Sequence, residues 1–301
     1  MTRQRLDVYL KTQHPNLSRG EIRALLSAGR VLLDGQPAKK GDQVGEGQEV
    51  VADLSPLPKA VEGRAQIAVG DDFFVYVDDN IIVVNKPAGM PSHPLVRGES
   101  GTALDAVVER FPEVATASDD AREGGLCHRL DNDTSGLLMF ARNVATYERM
   151  REAFSNGEIK RTYVALVEGN IEAPLVLERP IAHHAKNQAK MMVVGDGVRR
   201  RGKPQKAITR VEPMWRSTLT LNPSPAERER EIACVGVEIE GGRRHQIRVH
   251  LAHAGHPLVG DTLYGGMAVD FVPAQALHAW KMTLPNGEKV EAPLPDWARE
   301  R

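Results

Sequence analysis

The spacing of apolar residues divides the chain into a short leading unit and a larger body. In Ser18-Arg19-Gly20-Glu21 a serine and a glutamate stand three apart as in a capping box, so a helix is predicted to begin there. Along that helix Ile22, Leu25 and Leu26 share one face. Arg19 and Arg23, four apart, share another, which leaves two guanidinium groups in solvent where they can meet phosphate. Gly29 is placed to end the helix. Val31-Leu32-Leu33 then leads into Asp34-Gly35, a pair that tolerates positive φ and marks a hairpin, and the unit closes near Val50-Val51.

From Asp53 to about Gly70, Pro56 and Pro58 lie among small and charged residues, the composition of a linker. After it, Phe73-Phe74-Val75-Tyr76-Val77 and Ile81-Ile82-Val83-Val84 bracket the turn residues Asp79-Asn80 and read as a hairpin. Further strands are predicted at Leu137 to Ala141, Tyr163 to Val167 and Val235 to Ile239, and helices near Ala103 to Phe111 and Val144 to Phe154. The last of these has Asn143 as its cap, Val144, Tyr147, Met150 and Phe154 as core positions, and Gly157 beyond its end. The expected class is α+β, with residues 1–52 as the leading unit, 53–70 as the linker and 71–301 as the body.

At 301 residues, 41% apolar and 26% charged, the chain has a globular composition. It holds no uninterrupted apolar run near the ~20 residues of a membrane span. The first residues lack the pattern of a signal peptide, so a cytoplasmic location is expected. Cys127 and Cys234 are far apart and lack metal or disulfide spacing, which suits two buried reduced thiols. With a net charge of −1, contact with a polyanion has to come from local clusters. Two are present: Arg199-Arg200-Arg201-Gly202-Lys203 with Lys206 and Arg210, and Arg243-Arg244-His245-Gln246-Ile247-Arg248. A solvated loop is the ordinary meaning of either run taken alone. His183-His184, His250, His253 and His256 lack carboxylate or cysteine partners at ligand spacing and read as packing or surface residues. The glycines of Gly195-Asp196-Gly197 lack the context of a nucleotide fold, so neither a metal nor a cofactor is expected. No long exposed apolar stripe demands a partner subunit, which points to a monomer.

The most unusual segment is His128-Arg129-Leu130-Asp131-Asn132-Asp133-Thr134-Ser135-Gly136, a polar loop that runs into apolar Leu137-Leu138-Met139-Phe140. A carboxylate near a guanidinium such as that of Arg129 is kept ionised and fit to act as a nucleophile or base. Taken alone, Asp131 is better read as an aspartate that caps the Thr134-Ser135-Gly136 turn.

Residues 128 to 138, His-Arg-Leu-Asp followed by Asp-Thr-Ser-Gly-Leu-Leu, resemble the signature of the RluA-type pseudouridine synthase family. Three further segments match the same family in order: Asn85-Lys86-Pro87-Ala88-Gly89-Met90-Pro91, then Lys160-Arg161-Thr162-Tyr163-Val164-Ala165-Leu166-Val167, then Gly242-Arg243-Arg244-His245-Gln246-Ile247-Arg248-Val249-His250. The last continues through Gly255-His256-Pro257, Gly260-Asp261 and Tyr264-Gly265. The pattern of Arg5-Leu6-Asp7, Ser18-Arg19, Gly29-Arg30-Val31 and Asp34-Gly35 resembles the αL RNA-binding module of a small-subunit ribosomal protein.

The resemblance implies a mixed, mainly antiparallel sheet with a central cleft, preceded by the small αL domain. It implies Asp131 as the catalytic aspartate, Tyr163 as the tyrosine beside the target base and Arg243 as the basic partner of the aspartate. RNA contacts are expected from Arg129, His128, Lys86 and Arg248, and from Arg19 and Arg23 of the leading unit. The reaction breaks the bond from ribose C1′ to uracil N1 and joins C1′ to C5, which requires a nucleophile or base and no redox cofactor. Whether Asp131 attacks C1′, takes a ribose proton or adds to the ring is left open by the sequence. The αL module favours large-subunit (23S) ribosomal RNA as substrate, with transfer RNA as the alternative. Two other readings stand beside it: a non-catalytic RNA-binding assembly factor, and a metal-dependent hydrolase built on Asp131 and Asp133.

Overall fold

The structure is a computed structural model. It describes residues 4–17, 22, 25–26, 29–39, 41–45, 47–54, 69–95, 99–120, 122–195, 199–220, 229–272 and 274–300. The chain forms two compact units, Met1–Gln66 with Pro94–Ser100, and Ile67–His93 with Gly101–Arg301.

In the first unit α1 (Leu6–Gln13) buries Leu6 and Leu10, one turn apart, on a single stripe. Lys11 ends this helix by donating to the carbonyls of Pro15 and Leu17, a placement that also suits the negative end of the helix dipole. Sequence patterning gave no sign of this helix. The residues proposed to cap and front the next one, Ser18 to Glu21 together with Arg23, lie outside the described residues, so Arg19 and Arg23 are unplaced. Ile22, Leu25 and Leu26 are described, and they pack with Leu6, Leu10 and Val31 in one core. Gly29 takes φ 67°, and the Arg30 N–H reaches back to the Leu25 carbonyl at 3.0 Å, closing the turn. Short strands complete the unit: β1 (Gln4–Arg5) pairs with β4 (Gln43–Val44), and β2 (Val31–Leu33) pairs with both β3 (Gln36–Pro37) and β5 (Val50–Ala52). Asp34 and Gly35, at φ 51° and 78°, make the predicted tight turn between β2 and β3.

The second unit is built on a nine-stranded sheet. Its strands are β6 (Phe74–Val77), β7 (Ile81–Lys86), β8 (Ser135–Ala141), β9 (Lys160–Glu168), β10 (Leu175–Leu177), β14 (Ile208–Thr220), β15 (Glu229–Glu240), β16 (Leu277–Thr283) and β17 (Lys289–Glu291). They lie in the order β10-β14-β15-β9-β16-β8-β7-β6, with β17 on β16, and every pairing is antiparallel except that of β8 with β16. The β6–β7 hairpin turns at Asp78, whose carboxylate accepts the N–H groups of Asn80 and Ile81. A separate three-stranded sheet has β11 (Ile181–His184) between β12 (Met191–Val193) and β13 (Arg200–Gln205).

Helix α2 (Ala103–Arg110) opens with a reciprocal box between Thr102 and Asp105, and α3 (Val144–Asn156) opens with the Asn143 side chain on the Thr146 N–H and ends at Gly157, φ 76°. Val144 departs from its expected core position, being 48% exposed. As the first residue of α3 it precedes the stripe, which buries Met150 and Ala153 and half-buries Tyr147 and Phe154. Cys127 and Cys234 are both buried free thiols. No helix among the described residues is long and apolar enough to cross a membrane.

Gly136 shows why β8 starts as it does. Its φ is +106°, and a Cβ there would lie 2.3 Å from the Ala279 carbonyl oxygen of β16. Only glycine lets β8 and β16 meet at this junction, and the Asp131 loop enters the sheet through it.

Candidate active site

The loop that carries Asp131 is tied down on both sides of that residue. Leu130 exchanges two hydrogen bonds with Ser92: its N–H donates to the hydroxyl, which in turn donates to its carbonyl. Asn132 offers its carbonyl to the Gly89 N–H and to the Lys86 ammonium, at 3.0 and 2.8 Å. Lys86 is 0% exposed and also donates to the carbonyls of Pro87 and Met90. Burial pushes its pKa down to about 7, opposed in part by Asp133 and Asp131. Lys86 is therefore a brace inside the protein and not the RNA contact expected from the sequence. His128 departs from expectation in the same way. Its buried ring accepts the Met139 N–H through Nε2 and packs against Phe154 at 4.5 Å between centroids, so it has no face to offer RNA.

Asp131 itself faces an open cleft. Tyr163, Arg161, Arg129, Arg243, His245 and Arg248 share the lining. The basic partner of Asp131 is Arg248, where the sequence reading placed Arg243. Arg248 Nη1 donates to Asp131 Oδ2 at 3.0 Å, while Nε and Nη2 grip both oxygens of the buried Asp261 at 2.7 and 2.9 Å. Arg243 is exposed at the rim, and its Nε reaches the Lys206 carbonyl at 3.4 Å. Arg248 lies on α4 (Gln246–His253), a helix buried along most of its length, so its guanidinium points inward and is not a phosphate contact. Burial works against its charge, but Asp261 and Asp131 more than offset that and hold it deeper in the charged range.

Tyr163, on β9 between Val237 of β15 and Ala279 of β16, is almost wholly buried. Burial raises its pKa, so its hydroxyl stays protonated at neutral pH, although Arg161 pulls the other way. Arg129 is exposed beside Asp131, where an RNA strand at the mouth can meet it.

Two residues that the sequence did not single out complete the surroundings. His245, just before α4, has φ 54°, and its Nε2 is 3.7 Å from Asp131 Oδ2. Burial lowers its pKa to about 4 despite the nearby carboxylate of Asp131, so the ring is neutral. Tyr264 lies 5.2 Å from the Arg248 guanidinium, ring centroid to carbon, and its hydroxyl meets His245 Nδ1 at 2.9 Å. Both belong to the matched segments, but nothing in their spacing says which side of the chain faces Asp131.

The RNA pseudouridylate synthase family matches residues 80–253, and the S4 domain matches residues 4–50. The ribosomal large subunit pseudouridine synthase D of Vibrio vulnificus is 34% identical over 97% of this chain and 88% of its own length. The protein of that name in Pseudomonas aeruginosa is 30% identical over 97% of this chain and 89% of its own length. Among solved structures, human RNA pseudouridylate synthase domain containing 1 superposes with a TM-score of 0.57 at 26% identity, covering 76% of this chain and 86% of that one.

Proposed function

This chain belongs to the RNA pseudouridylate synthase family, isomerases that turn uridine in RNA into pseudouridine, and from that premise we propose that Asp131 is the carboxylate that performs the reaction. The observation that carries this reading is the double anchoring of Arg248. Fixed by Asp261 through Nε and Nη2, it presents Nη1 to Asp131 in a cleft that also holds Tyr163. A carboxylate held this way is aimed before any nucleotide arrives, so little reorganisation is left for the reacting step. Tyr163 offers a ring edge for stacking against the detached uracil and a protonated hydroxyl for proton movement at C5. C1′ and C5 are inaccessible in stacked RNA, so the target nucleotide is extruded into the cleft or taken from a loop, at a cost of a few kcal/mol.

Residues 71–301 serve as the catalytic domain in this reading, 53–70 as the linker and 1–52 as the RNA-binding module. The substrate is large-subunit ribosomal RNA, a choice supported by the names of the relatives and by the S4 match. The test is to incubate the protein with total RNA from cells lacking its gene and to map pseudouridine at nucleotide resolution. New sites in large-subunit ribosomal RNA are expected. Sites in transfer RNA alone would move the substrate, and tight binding without product would favour the non-catalytic RNA-binding reading.

A further inference from the structure

His245 holds φ 54° and ψ 21°, a left-handed conformation uncommon for any residue but glycine, and its side chain makes no capping bond to α4 that would account for it. What the conformation achieves is to aim the ring between two partners, Tyr264 at Nδ1 and Asp131 at Nε2. The Tyr264 hydroxyl already accepts the Met191 N–H at 2.8 Å, so its own proton is directed at His245 Nδ1. The other ring nitrogen, Nε2, faces Asp131 Oδ2. That same oxygen is held by Arg248, whereas Oδ1 of Asp131 has no hydrogen bond among the described residues.

We propose that His245 is a positioning residue for Asp131: the Met191–Tyr264–His245 chain fixes the ring tautomer, and Nε2–H with Arg248 pins Oδ2, leaving Oδ1 as the oxygen presented to the nucleotide. The present 3.7 Å approach is loose, as such contacts commonly are before substrate fills a site, and it tightens on binding. This inference rests on the reading of Asp131 as the catalytic carboxylate.

Three variants separate the parts. His245→Asn suits left-handed backbone and keeps a polar atom near the Nδ1 position but nothing near Nε2. His245→Gln extends an amide to the Nε2 position. Tyr264→Phe removes the proton that sets the tautomer, together with the acceptor of the Met191 N–H. Single-turnover rates are read on total RNA from cells lacking the gene, at the sites the wild type modifies, with Asp131→Asn alongside. His245→Asn is expected to be slower by about 10- to 100-fold, in line with the cost of small misplacements. His245→Gln should recover part of that rate, and Tyr264→Phe should fall in the same direction as His245→Asn. RNA affinity should stay at the wild-type value in all three, and Tm in the two His245 variants, which a merely structural role would not leave in place; Tyr264→Phe, which also frees the Met191 N–H, is read on rate and tautomer.

Imidazole ¹⁵N spectra should give the Nε2–H form for His245 in the wild type and a mixture in Tyr264→Phe. A wild-type rate for His245→Asn beside an inactive Asp131→Asn overturns this inference alone, as does an Nδ1–H tautomer or a defect confined to RNA binding. An active Asp131→Asn overturns the reading beneath it as well. Should His245→Asn fail to fold, Tyr264→Phe decides, and a wild-type rate there overturns the proposal.

Discussion

Arg248 divides its donors between two carboxylates, and the division explains what each does. Asp261, with a side chain 1% exposed, is paired among the described residues with this guanidinium alone, so removing the arginine strips the buried carboxylate of that partner. Arg248→Ala is therefore expected to cost about 3–5 kcal/mol of folding stability as well as activity. An unchanged urea midpoint would show that the pair is not holding the fold together. Lys86 makes a second residue-level prediction. Its pKa falls from 10.5 in the free side chain to about 7 in the folded protein, so between those values the unfolded chain binds more protons and stability from this group rises with pH. Lys86→Met loses three hydrogen bonds to carbonyls and is destabilised at every pH. Urea titrations at pH 7 and pH 9 should find the wild type gaining on the variant at the higher pH, and a gap that narrows would reverse the sign of the argument.

Elements explain which parts of this arrangement were legible beforehand. The β6–β7 hairpin and α3 could be read because their signals are local: turn residues between β-branched runs, a capping asparagine, and a glycine past the end. Helix α4 could not. Gln246-Ile247-Arg248-Val249-His250-Leu251 alternates polar and apolar residues as a strand does, yet it is a helix buried on nearly every side. Only the helical turn distinguishes Arg248, which points at Asp131, from Arg243, which does not, so the motif was legible and the choice of arginine within it was not. Lys86 and His128 were misread for a related reason. Basic side chains are usually exposed, and their burial depends on how the fold turns the Pro87, Met90 and Asn132 carbonyls towards Lys86 and the Met139 N–H towards His128. Gly136 links β8 to the Asp131 loop, and the clash of any Cβ with the Ala279 backbone predicts that Gly136→Ala destabilises by several kcal/mol, about 3 or more. A thermal midpoint within a degree of wild type would contradict the close approach of β8 and β16.

Across the whole molecule, a net charge of −1 hides an uneven distribution. Strand β13 is exposed throughout and carries Arg200, Arg201 and Lys203, with Lys206 exposed just beyond it. If these cations lie against phosphates, Arg201→Ala and Lys203→Ala each lower the slope of log affinity against log salt by about 0.7–0.9. Filter binding across a salt series checks this, and unchanged slopes would make the strand a solvated surface. Asp131 is the single carboxylate among the residues lining the cleft, and the most direct test of the account is Asp131→Asn. The substitution keeps the shape of the side chain and removes its charge. Assayed beside the wild type on the same RNA, it should fold, bind RNA with unchanged affinity and form no pseudouridine. Product formation at the wild-type rate would contradict the assignment of Asp131 and the account built on it.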